Sequence, residues 1–233
     1  LGAHIDSPRL DLKQDPLYEN TDFALLDTHY YGGIKKYQWV TLPLALHGVI
    51  CKKDGTTVEV NIGDKPGDPV VGITDLLIHL SADQLEKKGA KVIEGESLDV
   101  LIGSIPLVEE GEDKEQAKEA VKANILKLLK EKYDIEEEDF LSAEIEAVPA
   151  GAARDFGLDR SMVGGFGQDD RICSYTSLKA IFDLDKTPEK TALCVLVDKE
   201  ETGSSGNTGI KSMFFENTIA ELINMQCDNY SDL

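Results

Sequence analysis

The stretch Leu193 to Gly209 reads LCVLVDKEETGSSGNTG. An apolar run from Leu193 to Val197 stops at Asp198, the adjacent glutamates Glu200 and Glu201 follow, and small residues close the segment. A short aliphatic run bounded by turn residues predicts a buried strand that delivers two carboxylates into a loop. In open α/β sheets, ligands sit in the crevice beyond the carboxyl ends of the strands, so acids at that point are better site candidates than acids elsewhere. Taken alone, a glutamate pair at a strand end is an ordinary solvated turn. Its meaning depends on what else the chain brings there.

Composition narrows the partners. With 44 Asp and Glu against 24 Lys and Arg, the formal charge of −20 excludes nucleic-acid phosphates and anionic membrane surfaces as partners, while it suits the gathering of cations. The 233 residues, 41% of them hydrophobic, suffice for one large or two small domains with a proper core. No apolar run approaches the roughly 20 residues of a membrane span and no basic-then-apolar segment opens the chain, so a cytoplasmic location is expected. Cys51, Cys173, Cys194 and Cys227 lie far apart without a C-x-x-C pair, which removes a thiolate zinc knot; Cys194 reads as a small core residue. Because the chain starts at Leu1 without an initiator Met and stops soon after a helical pattern, it is expected to be a piece of a longer polypeptide.

Read in order, LGAHIDSPRLDLK is an extended segment in which His4 and Asp6 share one face. A carboxylate beside an imidazole fixes its ring and basicity, as a metal-binding histidine requires; the alternative is a surface histidine beside a loop acid. From Gln14 the sequence is polar and turn-rich up to Gly32-Gly33, and an alternating apolar run then spans Tyr37 to Cys51. A two-residue Asp54-Gly55 turn predicts a hairpin with Thr57 to Ile62. His79, inside ITDLLIHL, reads as a core histidine bonded to backbone. Glu109 to Tyr133 predicts an amphipathic helix with acids at its start and lysines at its end, followed by a solvated acid run at Glu136 to Asp139. Phe140 to Val148 alternates like a strand and is broken by Pro149-Ala150-Gly151. The second half reads β, loop, α, β, loop, α. Asp169 and Asp170 open a helix over Ile172 to Leu184, where caps and ligands are equally good readings. A last helix covers about Thr208 to Met225, and Ile210 before Lys211 rules out a phosphate-binding P-loop.

As an ordered set, GAHIDSPRLDLK, VPAGAARDFG, GQDDRICSYTSL and VDKEETGSSGNTG resemble the aspartyl aminopeptidase and aminopeptidase I family of co-catalytic zinc metallopeptidases, with VDKEE and GQDDRIC closer to the aminopeptidase I branch. The resemblance implies an α/β fold: a central, mostly parallel sheet flanked by helices, interrupted by a β-rich α+β insertion. Residues 1–14 and 149–233 would form an incomplete catalytic domain and residues 15–148 an inserted dimerisation or lid domain. By the same resemblance His4 ligates one metal with Asp6 in support, Asp170 bridges two metals, Glu200 is the general base, Glu201 ligates the second metal, and His79 reaches the active site of a neighbouring subunit. Members carry a further Asp and His ligand in a stretch beyond the point where this chain stops. The implied cofactor is zinc, two ions per complete subunit, with manganese or cobalt as competitors on the same donors. The implied substrates are peptides with a free N-terminus, and the implied assembly is a large homo-oligomer. Two other readings stand beside this one. A related glutamyl or deblocking aminopeptidase shares the metal logic but has a smaller insertion, which the long middle region with LLIHL argues against. A catalytically silent or truncated scaffold subunit would show the same acidic surface with an incomplete ligand set.

Overall fold

The structure, a computed structural model, describes residues 1–107 and 118–226. The acids predicted to open the long helix (Glu109, Glu110, Glu112, Asp113), Ala117 and Cys227 lie outside the described residues. The chain divides into two compact units, Leu1–Pro8 with Gly165–Leu233, and Arg9–Gly164. In chain order, β1 (Gly2–His4) belongs to the first unit. The second carries β2 (Arg9–Asn20), β3 (Phe23–Tyr31), α1 (Lys36–Trp39), β4 (Leu44–Cys51), β5 (Thr57–Ile62), α2 (Ala82–Leu85), β6 (Val100–Gly103), α3 (Ala120–Tyr133), β7 (Ala143–Pro149), β8 (Arg154–Phe156) and β9 (Met162–Gly164). The chain then returns to the first unit with α4 (Gln168–Phe182), β10 (Val195–Val197) and α5 (Met213–Gln226). The boundaries expected at residues 14 and 149 fall inside β2 and at the last residue of β7.

The Arg9–Gly164 unit is built on a six-stranded sheet of order β5-β4-β7-β2-β3-β6, antiparallel throughout. Its first hairpin, β2–β3, occupies sequence that reads as polar and turn-rich. One face carries Leu10, Leu17, Ala24 and Leu26 into the core at 2% exposure or less. The opposite face carries charge (Asp11, Lys13, Asp27), which hides the alternation, as a one-side-solvated antiparallel sheet permits. Thr21 and Asp22, both at positive φ (49° and 60°), make the tight turn whose twist suits a two-residue hairpin loop. The predicted β4–β5 hairpin is present, but its loop has three residues. Lys52 and Thr56 close it through Lys52 N–H donating to the Thr56 carbonyl at 2.8 Å, with Gly55 at φ 88°. The run from Tyr37 splits into the short α1, which buries Trp39, and the strand β4.

Strands β4 and β7 leave no room for a side chain at Gly48. A Cβ there would lie 2.1 Å from the Glu144 carbonyl oxygen and 2.7 Å from the Ile145 Cα, both backbone atoms that cannot rotate away. Gly48→Ala is therefore expected to destabilise the protein by about 1–3 kcal/mol through overpacking, read as a lowered midpoint in urea with an unchanged slope.

His79 corrects its expected placement in the core. Ile73 is buried, but the segment then turns outward: Leu76, Leu77, Ile78 and Leu80 are 53% to 67% exposed and His79 is exposed beside them in a 3-10 turn.

In the other unit, β1 and β10 pair in parallel with Gly2 opposite Val195, Ala3 opposite Leu196 and His4 opposite Val197. The predicted strand over Leu193–Val197 is thus realised by its last three residues, half-buried. This is the parallel pairing among the described residues. Helix α4 packs on β1 and starts at Gln168, four residues before the predicted start at Ile172, and α5 starts at Met213, inside the helix predicted from Thr208.

Candidate metal centre

The parallel register puts His4 opposite Val197, three residues before Glu200. Ile5 N–H continues the ladder to the Val197 carbonyl at 2.8 Å, so both strands end together. Past β10, Lys199 takes the left-handed conformation (φ 68°), and Glu200–Thr202 form one 3-10 turn closed by Gly203 at φ 85°. That turn aims its first amides at Asp6, which is 4% exposed. Glu200 N–H donates to Asp6 Oδ1 and Glu201 N–H to Asp6 Oδ2, each at 3.1 Å. The same residue orients the imidazole: His4 Nδ1 lies 3.0 Å from the Asp6 carbonyl oxygen and 3.4 Å from its Oδ1. In the tautomer that donates from Nδ1, Nε2 is left with its lone pair outward. Ser174 of α4 fixes the strand beneath by donating to the His4 carbonyl at 2.6 Å.

One ligand atom each from His4, Glu200 and Glu201 lie within 4.8 Å of one another. Electrostatics show what these groups lack. Burial pushes the Glu201 carboxyl above its ordinary pKa, and the nearby charges of Glu200, Asp6 and Asp169 push it further. Burial would lower the His4 pKa, but the Asp6 carbonyl and the charges of Asp170, Glu200 and Asp6 outweigh it and raise the pKa above 6.5. Acids that repel each other around one imidazole form a site short of positive charge. Nitrogen and carboxylate oxygen donors without sulfur fit zinc, and also manganese or cobalt.

Asp170 is near enough to His4 for its charge to act on the imidazole, but it is not among the three gathered ligands. Asp170 is 4% exposed and its Oδ1 accepts a hydrogen bond from Ser7 Oγ at 3.0 Å. Its neighbour Asp169, which the sequence reading left without a role in the centre, faces the imidazole with Oδ1 3.3 Å from His4 Nε2 and a side chain 89% exposed. Consecutive residues already diverge by about 100° around a helix, and α4 is in addition kinked at Asp169 (φ −83°, ψ 99°). The Asp-Asp doublet was the available signal, but adjacency does not tell which of the two points outward. His79 belongs to the Arg9–Gly164 unit.

The aminopeptidase I zinc metalloprotease (M18) family model matches residues 1–232. The chain belongs to the M18 family. It is 64% identical over 233 residues to a probable M18 family aminopeptidase 1 of Clostridium acetobutylicum, covering all of this chain and 49% of that protein. The crystal structure of an M18 aminopeptidase from Thermotoga maritima superposes with a TM-score of 0.85 at 52% identity, over 97% of this chain and 48% of that one. The Saccharomyces cerevisiae mApe1 dodecamer shares the fold, with a TM-score of 0.63 at 18% identity over 94% of this chain and 47% of that one. This M18 chain therefore spans about half the length of the relatives it matches. Among its described residues, no helix is long and apolar enough to cross a membrane.

Proposed function

We propose that this M18 chain contributes His4, Asp6, Asp169, Glu200 and Glu201 to the centre of a metal-dependent aminopeptidase that removes N-terminal residues from peptides. The observation that carries the reading is the gathering of the His4, Glu200 and Glu201 ligand atoms within 4.8 Å at the end of a parallel strand pair. His4 Nε2 and the Glu201 carboxylate would hold metal, and the position of Asp169 beside that nitrogen favours it over Asp170 as the further carboxylate that would join them. Asp170, hydrogen-bonded to Ser7, supports the wall behind it. A pair of zinc ions per complete subunit, with manganese or cobalt as substitutes, supplies Lewis acidity that polarises a carbonyl and acidifies water. Glu200 takes the proton of the attacking water as the new C–O bond forms and returns it to the leaving amine as the C–N bond breaks.

The parallel β1–β10 pair is the seed of a mostly parallel catalytic sheet, into which the Arg9–Gly164 unit is inserted for dimerisation or as a lid. A homo-oligomer is supported by the exposed aliphatic segment Leu76–Leu80, since such contiguous apolar surface marks an interaction site. His79 sits within that segment, where it can be carried to a neighbouring subunit's centre. The location we assign is the cytoplasm.

The test is zinc uptake by the chain under chelator competition, with emission spectroscopy as a count. Binding is expected in the wild type and loss of it in His4→Ala; equal uptake by both refutes the assignment. Affinity is also expected to fall with pH. A ligating imidazole must be neutral, its pKa here is raised above 6.5, and protons compete with the cation as pH drops through that value.

A further inference from the structure

Helix α3 covers only part of the six-stranded sheet. It packs on β2, β3 and β6, and it approaches β6 so closely that a Cβ on Gly103 would lie 2.6 Å from Ile125 Cδ1. Over β4 and β5 the sheet's inner face, with Leu46, Ile50, Val60 and Ile62, borders a cavity of about 450 Å³ inside the Arg9–Gly164 unit. That volume is within the roughly 300–1,000 Å³ of small-molecule sites. The wall is aliphatic apart from Phe140 and Tyr133. Below the rim the only polar side-chain group among the described lining residues is the Tyr133 hydroxyl, which is engaged by Lys132, so the inserted part of a ligand is hydrocarbon, because a polar group there would lose its water without gaining a partner. Val70 and Leu128, about half exposed (52% and 51%), extend the apolar surface to the mouth.

The rim is polar, and its charges are unequally used. Glu131 is within 3.9 Å of Lys127, and Lys130 pairs with Asp134 and Glu136. Lys132 forms no ion pair among the described residues: its main partner is the neighbouring Tyr133, by a side-chain hydrogen bond and with Nζ 5.1 Å from the ring centroid, and Asp68 acts on it more weakly. What distinguishes Lys132 is its place: it sets a positive charge at the lip of a hydrocarbon slot, in a chain of net charge −20. The geometry points to a binding site for an aliphatic monocarboxylate, its chain in the cavity between α3 and β4–β5 and its carboxylate on Lys132 at the rim. The site is separate from the metal centre and does not depend on it.

The probe is cis-parinaric acid, whose fluorophore is its own hydrocarbon chain, with the matching alcohol as control, titrated into the full chain and followed by fluorescence. Saturable binding of the acid with a rise in fluorescence is expected, and weaker binding of the alcohol. Lys132→Glu removes an attraction and adds a comparable repulsion, which together weaken the acid about tenfold and bring it to or below the alcohol. Val70→Trp, a change at an exposed position, closes the mouth and weakens both probes. Absence of saturable binding by the wild type overturns the proposal. So does equal binding of acid and alcohol, indifference to both substitutions, or loss of probe binding as protein concentration rises, which would mean a second copy covers the mouth.

Discussion

Glu200→Gln, made in the full-length protein, is expected to lower kcat on a chromogenic aminoacyl substrate by roughly a hundred- to ten-thousand-fold, the usual worth of a positioned general base. Metal content and KM should stay close to wild type. The amide keeps the shape of the side chain and its place in the 3-10 turn, where the backbone N–H to Asp6 is untouched. What it loses is the ability to accept a proton. Glu201→Gln is the informative contrast. Its carboxylate is one of the gathered ligand atoms and is crowded by Glu200, Asp6 and Asp169, so the neutral amide relieves repulsion but removes a donor for the cation. Its activity loss should come with lost zinc and be partly restored by excess metal, whereas that of Glu200→Gln should not. A Glu200→Gln enzyme that turns over at the wild-type rate refutes the base assignment.

The grouping of His4, Asp6, Glu200 and Glu201 was legible in the sequence to the extent that its parts are local. His4 and Asp6 are two residues apart, and Glu200 and Glu201 are adjacent behind an aliphatic strand, so strand periodicity and chain order name them before any coordinates do. Which of Asp169 and Asp170 lies beside His4 Nε2 was not legible, since both acids are equally good first-turn residues and no propensity scale encodes the kink at Asp169. The β2–β3 hairpin was missed for a different reason. Its outer face is charged and its bulge carries Asp15 and Pro16, so local composition signals a loop while the inner face, Leu10, Leu17 and Leu26, signals a strand only at a period interrupted by that bulge. The local reading of His79 as a core residue failed because aliphatic neighbours predict burial only if something covers them. In Leu76–Leu80 the chain presents those neighbours outward.

Asp6→Asn is expected to be nearly as damaging as Asp6→Ala, although it changes one atom. Both oxygens of the buried carboxylate are used as acceptors, Oδ1 by Glu200 N–H and Oδ2 by Glu201 N–H, at 3.1 Å each. An asparagine keeps one oxygen and turns an NH₂ toward the other amide, so whichever way the side chain flips, a donor faces a donor. One buried N–H left unpaired costs about 1–3 kcal/mol, and the 3-10 turn that presents Glu200 and Glu201 loses half of its anchor. The His4 ring loses its negative partner at the same time, since Asp6 Oδ1 also stands 3.4 Å from Nδ1. The expected result is a lowered thermal midpoint together with zinc affinity reduced at least tenfold, both measured on the same preparation. If Asp6→Asn bound zinc as the wild type does, the turn would be holding its shape without Asp6, and the carboxylate could not be what brings the glutamates to the imidazole.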